Sequence, residues 1–108
     1  NYNNILIFLD SNHTHDHVLA ELNAYAELTS VGSYIVAFDT VIDYLPENHL
    51  PNESNPSISE ARTYTRGNSP MSAVKEFLKH NKDFEIDSEI DNKLLISVAP
   101  CGYLKRIK

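Results

Sequence analysis

Residues 5–40, ILIFLDSNHTHDHVLAELNAYAELTSVGSYIVAFDT, decide the architecture of this chain. The run Ile5-Leu6-Ile7-Phe8-Leu9 is apolar without alternation, the pattern of a strand covered on both faces, and it ends in Asp10. Thr14 stands at a plausible helix N-cap, with Asp16 in the first turn, where the exposed amides favour a negative charge. Val18, Leu19, Leu22, Tyr25 and Ala26 then recur at helical spacing, which carries an amphipathic helix to about Leu28. Gly32-Ser33 breaks the pattern, and Tyr34-Ile35-Val36-Ala37-Phe38 forms a second buried strand ending in Asp39. Such a unit is a right-handed crossover between parallel strands. Asp10 and Asp39 therefore reach the same sheet edge, the one at which open α/β sheets bind ligands and do chemistry.

Downstream, Ile42–Asn68 changes character: Pro46, Pro51 and Pro56 sit among Asn, Ser and Glu with little periodicity. A long irregular stretch inside a small domain reads as an active-site loop at the carboxyl edge or as a disordered connection. Ser69-Pro70 pairs a cap residue with Pro at the first helical position, and Ala73, Val74, Phe77 and Leu78 mark a buried stripe ending near His80. Phe84–Asp87 alternates, Lys93–Ala99 is an apolar run, Pro100-Cys101-Gly102 is a turn, and Tyr103–Ile107 alternates again. The last two runs are expected to form an antiparallel hairpin.

Composition narrows the classes. With 108 residues, 42% hydrophobic and 22% charged, the chain is one small globular domain or part of a larger one. A formal charge of -6, spread along the chain, argues against a nucleic-acid partner, which needs a basic footprint. The closing Lys105-Arg106-Ile107-Lys108 reads as a solvated strand end. A single cysteine, Cys101, excludes an internal disulfide and suits a cytoplasmic setting. No apolar segment approaches the roughly 20 residues of a membrane span.

Taken singly, Asp10 and Asp39 could be helix caps or loop acceptors. As a pair at equivalent strand ends, they suit a hard divalent cation such as Mg²⁺, which takes oxygen ligands and retains waters. His13, His15 and His17 suggest zinc, yet helical residues two apart diverge, so the three do not readily meet one ion. His13, ahead of the helix and three residues past Asp10, could serve as a general base, or be a solvent-facing loop residue. His15 and His17 read as surface residues, and Cys101 as structural. Tyr64, Arg66 and Asn68, with Gly67, precede a helix N-terminus and could bind an anion or close over a substrate; an ordinary loop-to-helix junction is the alternative.

These residues also carry a resemblance. Leu9–Leu22, Gly32-Ser33-Tyr34-Ile35-Val36 with Asp39-Thr40, and Gly67-Asn68-Ser69-Pro70 through Leu78 resemble the cephalosporin hydroxylase / rhamnosyl O-methyltransferase family. So do Phe84–Asp87 and Gly102–Arg106 at the end. The resemblance implies the C-terminal half of a class I S-adenosylmethionine-dependent methyltransferase: a partial Rossmann-like α/β sheet with parallel strands and an antiparallel C-terminal hairpin. The glycine-rich unit that holds the cofactor in such enzymes has no counterpart in these residues. It further implies Mg²⁺ held by Asp10 and by Asp39, with His13 as base. Where the family often has Glu-Asp, this chain has Phe38-Asp39, so Thr40 is the candidate replacement ligand, and Tyr64 stands where Trp is expected.

The function so implied is Mg²⁺-assisted methyl transfer to the hydroxyl of a small molecule, for instance a sugar. The competing reading is a non-catalytic module whose bare edge beside Ile5–Leu9 pairs with a second copy or with a missing N-terminal segment. A small metal-dependent hydrolase using the same acids is a third.

Overall fold

The computed structural model describes residues 4–50 and 63–108. Strand β1 (Ile7–Leu9) leads into helix α1 (His15–Tyr25), which tightens to a 3₁₀ turn over Ala26–Leu28 before strand β2 (Tyr34–Ala37). Two further 3₁₀ turns, Thr40–Tyr44 and Glu47–His49, follow, then helix α2 (Pro70–His80), strand β3 (Phe84–Ile86), helix α3 (Ser88–Leu94) and strand β4 (Tyr103–Arg106). The sheet order is β1-β2-β4-β3. β1 and β2 run parallel, with Ile7 opposite Ile35 and Leu9 opposite Ala37, and β4 is antiparallel to both of its neighbours. This is a mixed α/β fold compatible with a partial Rossmann-like sheet.

Period two explains the core. Leu9, Ile35, Ala37, Phe84 and Leu104 share one face and pack with Val18, Leu22 and Ala26 of the first helix and Ala73, Val74 and Phe77 of α2. Phe77 and Phe84 meet edge to face at 5.5 Å. The buried stripe of α1 is narrower than its sequence suggests: Val18, Leu22 and Ala26 are buried, whereas Tyr25 is 42% exposed. α2 starts as expected, with a reciprocal capping box between Ser69 and Ser72 and Pro70 in the first turn.

Several expectations are corrected. The run at Ile5–Leu9 is not covered on both faces: Leu6 is 49% and Phe8 60% exposed, with Phe8 touching only its neighbour Phe38 among the ring contacts of the described residues. The antiparallel C-terminal pair exists, but its first strand is Phe84–Ile86 and not Lys93–Ala99. The Asp87 side chain accepts the Glu89 N–H at 3.2 Å, starting α3 across residues 88–94, and Leu95 at φ 63° ends it. Ile96 is left 92% exposed in the bend that follows. Arg106 is no solvated strand end either. Its Nη1 donates to the carbonyls of Glu27 at 3.0 Å and Thr29 at 2.6 Å, closing the C-terminal end of the α1 region. Of the proline-rich loop, Pro46 precedes a 3₁₀ turn, while Pro51 and Pro56 lie outside the described residues.

One glycine is set by close approach. A Cβ on Gly102 would lie 2.3 Å from the Ala37 carbonyl oxygen, and the Gly102 carbonyl accepts the Ala37 N–H at 2.9 Å. The turn before β4 thus seats the last residue of β2, two residues ahead of Asp39.

Candidate metal centre

β1 and β2 end in register. The Phe38 N–H donates to the Leu9 carbonyl at 3.1 Å, so the next residue of each strand, Asp10 and Asp39, leaves the sheet at a shared edge. Asp39 then adopts a left-handed backbone, φ 58° and ψ 23°, which Asp tolerates better than most side chains. That bend turns the chain from β2 into the 3₁₀ turn and accompanies a carboxylate aimed at His13. His13 Nε2 lies 3.0 Å from Asp39 Oδ2 and 3.4 Å from Asp10 Oδ1. One ligand atom from each of the three residues lies within 4.8 Å of the others, the group of such residues found among the described ones. Both neighbours of Nε2 are carboxylate oxygens, which only accept, so the Nε2 hydrogen is donated into the cluster.

The cluster opens onto a pocket of about 540 Å³ lined by Ser11, Asn12, Val41, Ile42, Leu45, Thr63 and Tyr64 as well as His13 and Asp39. The Tyr64 ring rests against the His13 imidazole with centroids 5.6 Å apart. Polar groups gather on the Ser11–His13 side, and Val41, Ile42 and Leu45 form an apolar floor.

The other sequence candidates go elsewhere. Thr40 is fully buried and its hydroxyl donates to the Pro100 carbonyl at 2.6 Å, outside the carboxylate–imidazole cluster. Arg66 donates from Nη2 to the Leu45 carbonyl. Asn68 Oδ1 accepts the His15 N–H at 2.9 Å and so caps α1, a role the Thr14 side chain does not fill. Of the three loop residues, Tyr64 lines the pocket. The three histidines do not converge, as their spacing implied. His17 pairs with Ser11 Oγ at 2.9 Å and Glu21 at 3.4 Å. His15 is half-buried against Ser72 Oγ at 2.8 Å, and so is not the surface residue expected. Cys101 is a half-buried free cysteine whose backbone N–H donates to Asp91 Oδ2 at 2.9 Å, with φ 58°. The pocket floor was missed by sequence reasoning, because Val41, Ile42 and Leu45 show no regular period; their position directly after Asp39 was the available signal.

With the edge described, comparison with known proteins decides the lineage. Residues 1–107 match the family described as Rhamnosyl O-methyltransferase/CmcI. The chain belongs to this family. It is 32% identical over 103 residues to proteins named rhamnosyl O-methyltransferase from Mycobacterium tuberculosis (strain ATCC 25618 / H37Rv) and Mycobacterium bovis (strain BCG / Pasteur 1173P2). Those alignments cover 94% of this chain but 36% of the relatives, so the chain spans little more than a third of their length. No solved structure matches it. Among the described residues, no helix of this family member is long and apolar enough to cross a membrane.

Proposed function

We propose that this chain forms the metal- and acceptor-binding side of an S-adenosylmethionine-dependent O-methyltransferase. The observation that carries the reading is the meeting of Asp10, His13 and Asp39 at the ends of two adjacent parallel strands, beside a pocket of substrate size. The donor set fits Mg²⁺. Two carboxylates supply hard oxygens within 4.8 Å of each other, the ligand type that such an ion takes alongside retained waters. Thr40 could join only by giving up its bond to the Pro100 carbonyl. A bound divalent cation would lower the pKa of an acceptor hydroxyl.

The chain's own residues would do the rest. Asp10 and Asp39 fix the charge at the strand ends, and the Tyr64 ring bounds the space where an acceptor would lie. His13, in the tautomer that carries its hydrogen on Nδ1 and leaves the Nε2 lone pair free, would take the proton from the acceptor hydroxyl, and a bound methyl donor would supply the methyl group. The acceptor is a small hydroxyl compound; the relatives' name points to a sugar.

Calorimetric titration of the chain with Mn²⁺ and Mg²⁺ tests the reading. We expect one saturable site, weakened at least about tenfold in Asp39→Asn, since Asn keeps the left-handed backbone and removes one anionic ligand. No saturable binding by the unmodified chain would refute the assignment.

A second reading rests on β1. Its described backbone pairs only with β2, and Leu6 and Phe8 beside it are exposed, so a second copy could add at this edge. Sedimentation equilibrium separates the two: this reading requires a concentration-dependent dimer that Phe8→Lys dissolves.

A further inference from the structure

We infer that Asp43 is a positioning residue, a clasp whose carboxylate holds the 63–68 turn so that Tyr64 stays docked on His13. Asp43 lies in the 3₁₀ turn immediately after Asp39 and outside the metal cluster. Its Oδ1 accepts two hydrogen bonds from the far side of the pocket, from Ser69 Oγ at 2.5 Å and from the Gly67 N–H at 3.4 Å. Ser69 is fully buried and bridges two elements, because the same hydroxyl oxygen accepts the Ser72 N–H at 3.3 Å in the cap of α2. Asp43 therefore grips the capped start of a helix and not merely a loop.

The grip is passed to the pocket through a tight turn. Thr65 and Asn68 exchange both backbone hydrogen bonds at 3.0 Å around Gly67, whose φ of 79° suits its lack of a side chain. With the turn closed and its base held by Asp43, Tyr64 lies against His13 as the pocket wall. The Arg66 bond to the Leu45 carbonyl fastens the same two segments from the other strand of the turn. The consequence for acceptor binding rests on the function proposed above, whereas the docking itself does not.

The sequence contains no tryptophan, so Tyr64→Trp installs a unique fluorophore at the wall. Acrylamide quenching of the full chain then reads how tightly that indole is docked. Removing one charge-assisted hydrogen-bond acceptor should shift the docked-to-free balance by about tenfold. We expect quenching to rise strongly in Asp43→Ala and to an intermediate degree in Asp43→Asn, which keeps a weaker, neutral acceptor. A Tyr103→Trp reporter in the sheet should be unmoved by either change, which separates undocking from general loosening. Unchanged quenching at position 64 in Asp43→Ala, or equal rises at both reporters, overturns the proposal. Should Asp43→Ala not fold, Asp43→Asn decides alone, with unchanged quenching counting against the clasp. Mn²⁺ affinity should stay within about twofold in Asp43→Asn, because Asp43 holds no ligand atom. A chain that shows the quenching pattern yet binds no Mn²⁺ keeps the clasp and loses the metal reading.

Discussion

Replacing Gly102 with alanine tests how the strand end that carries Asp39 is seated. The added Cβ would lie 2.3 Å from the Ala37 carbonyl oxygen and 3.1 Å from that of Ala99, and Cβ atoms essentially never approach closer than 3.0 Å. Both obstacles are backbone atoms, so no flexible side chain can swing aside. The turn must back away from β2, stretching the 2.9 Å bond from the Ala37 N–H to the Gly102 carbonyl. Forced shifts of this kind cost about 1–3 kcal/mol. Reduced freedom of the unfolded chain returns about 0.4–1 kcal/mol of that. A net loss of about 1–2 kcal/mol, at about 4–8 °C per kcal/mol for a chain of this size, lowers Tm by roughly 5–15 °C. Thermal unfolding followed by far-UV circular dichroism reads it directly, and cation titration of the folded variant reads whether Asp39 has moved. A Tm within about 2 °C of the unmodified chain would mean that the β2–turn contact is not the tight seat described.

Thr40→Val keeps shape but leaves the half-buried Pro100 carbonyl without its hydroxyl donor; chemical denaturation should show a loss of about 1 kcal/mol, with Mn²⁺ affinity unchanged because Thr40 lies outside the cluster. Cys101→Asn places a residue that accepts a left-handed backbone at φ 58°, and should raise stability by about 0.5–1 kcal/mol, read as a higher Tm. The Tyr34 hydroxyl donates to Asp87 Oδ2 at 2.7 Å, a bond that lowers the Asp87 pKa and, together with burial, raises that of Tyr34. A lowered carboxylate pKa stabilises the fold above the ordinary value of 3.8 and fails as pH falls through the lowered one; a raised phenol pKa stabilises below 10.0 and fails as pH rises through the raised one. The Tm gap between the unmodified chain and Tyr34→Phe should therefore be widest between these limits and close toward both extremes.

Much of this was legible in the residues. The apolar runs ending in Asp10 and Asp39, and the helix between them, dictated a parallel pair with both acids at one edge, and the His13 spacing brought an imidazole to them. Ser69-Pro70 announced α2 because cap chemistry is local. What was not legible depended on distant partners. Lys93–Ala99 looks like a strand by hydrophobicity, but Asp87 caps a helix across its start and β4 takes Phe84–Ile86 as its edge partner. The role of Arg106 lies in carbonyls nearly 80 positions earlier in the chain. Asn68 as the cap of α1 and Asp43 as the partner of Ser69 are likewise contacts that no local pattern encodes. Thr40 drew notice as an oxygen donor beside Asp39, yet whether it faces solvent or core is decided by Pro100, 60 residues on.

The positive φ of Asp39 narrows what this position can become. Glutamate would preserve the charge, but its longer side chain is ill at ease in that backbone region; asparagine suits the backbone and forfeits the charge; glycine forfeits the side chain altogether. Aspartate meets both demands best, so a change usually regarded as mild, Asp to Glu, here adds a backbone cost to the shift of its carboxylate.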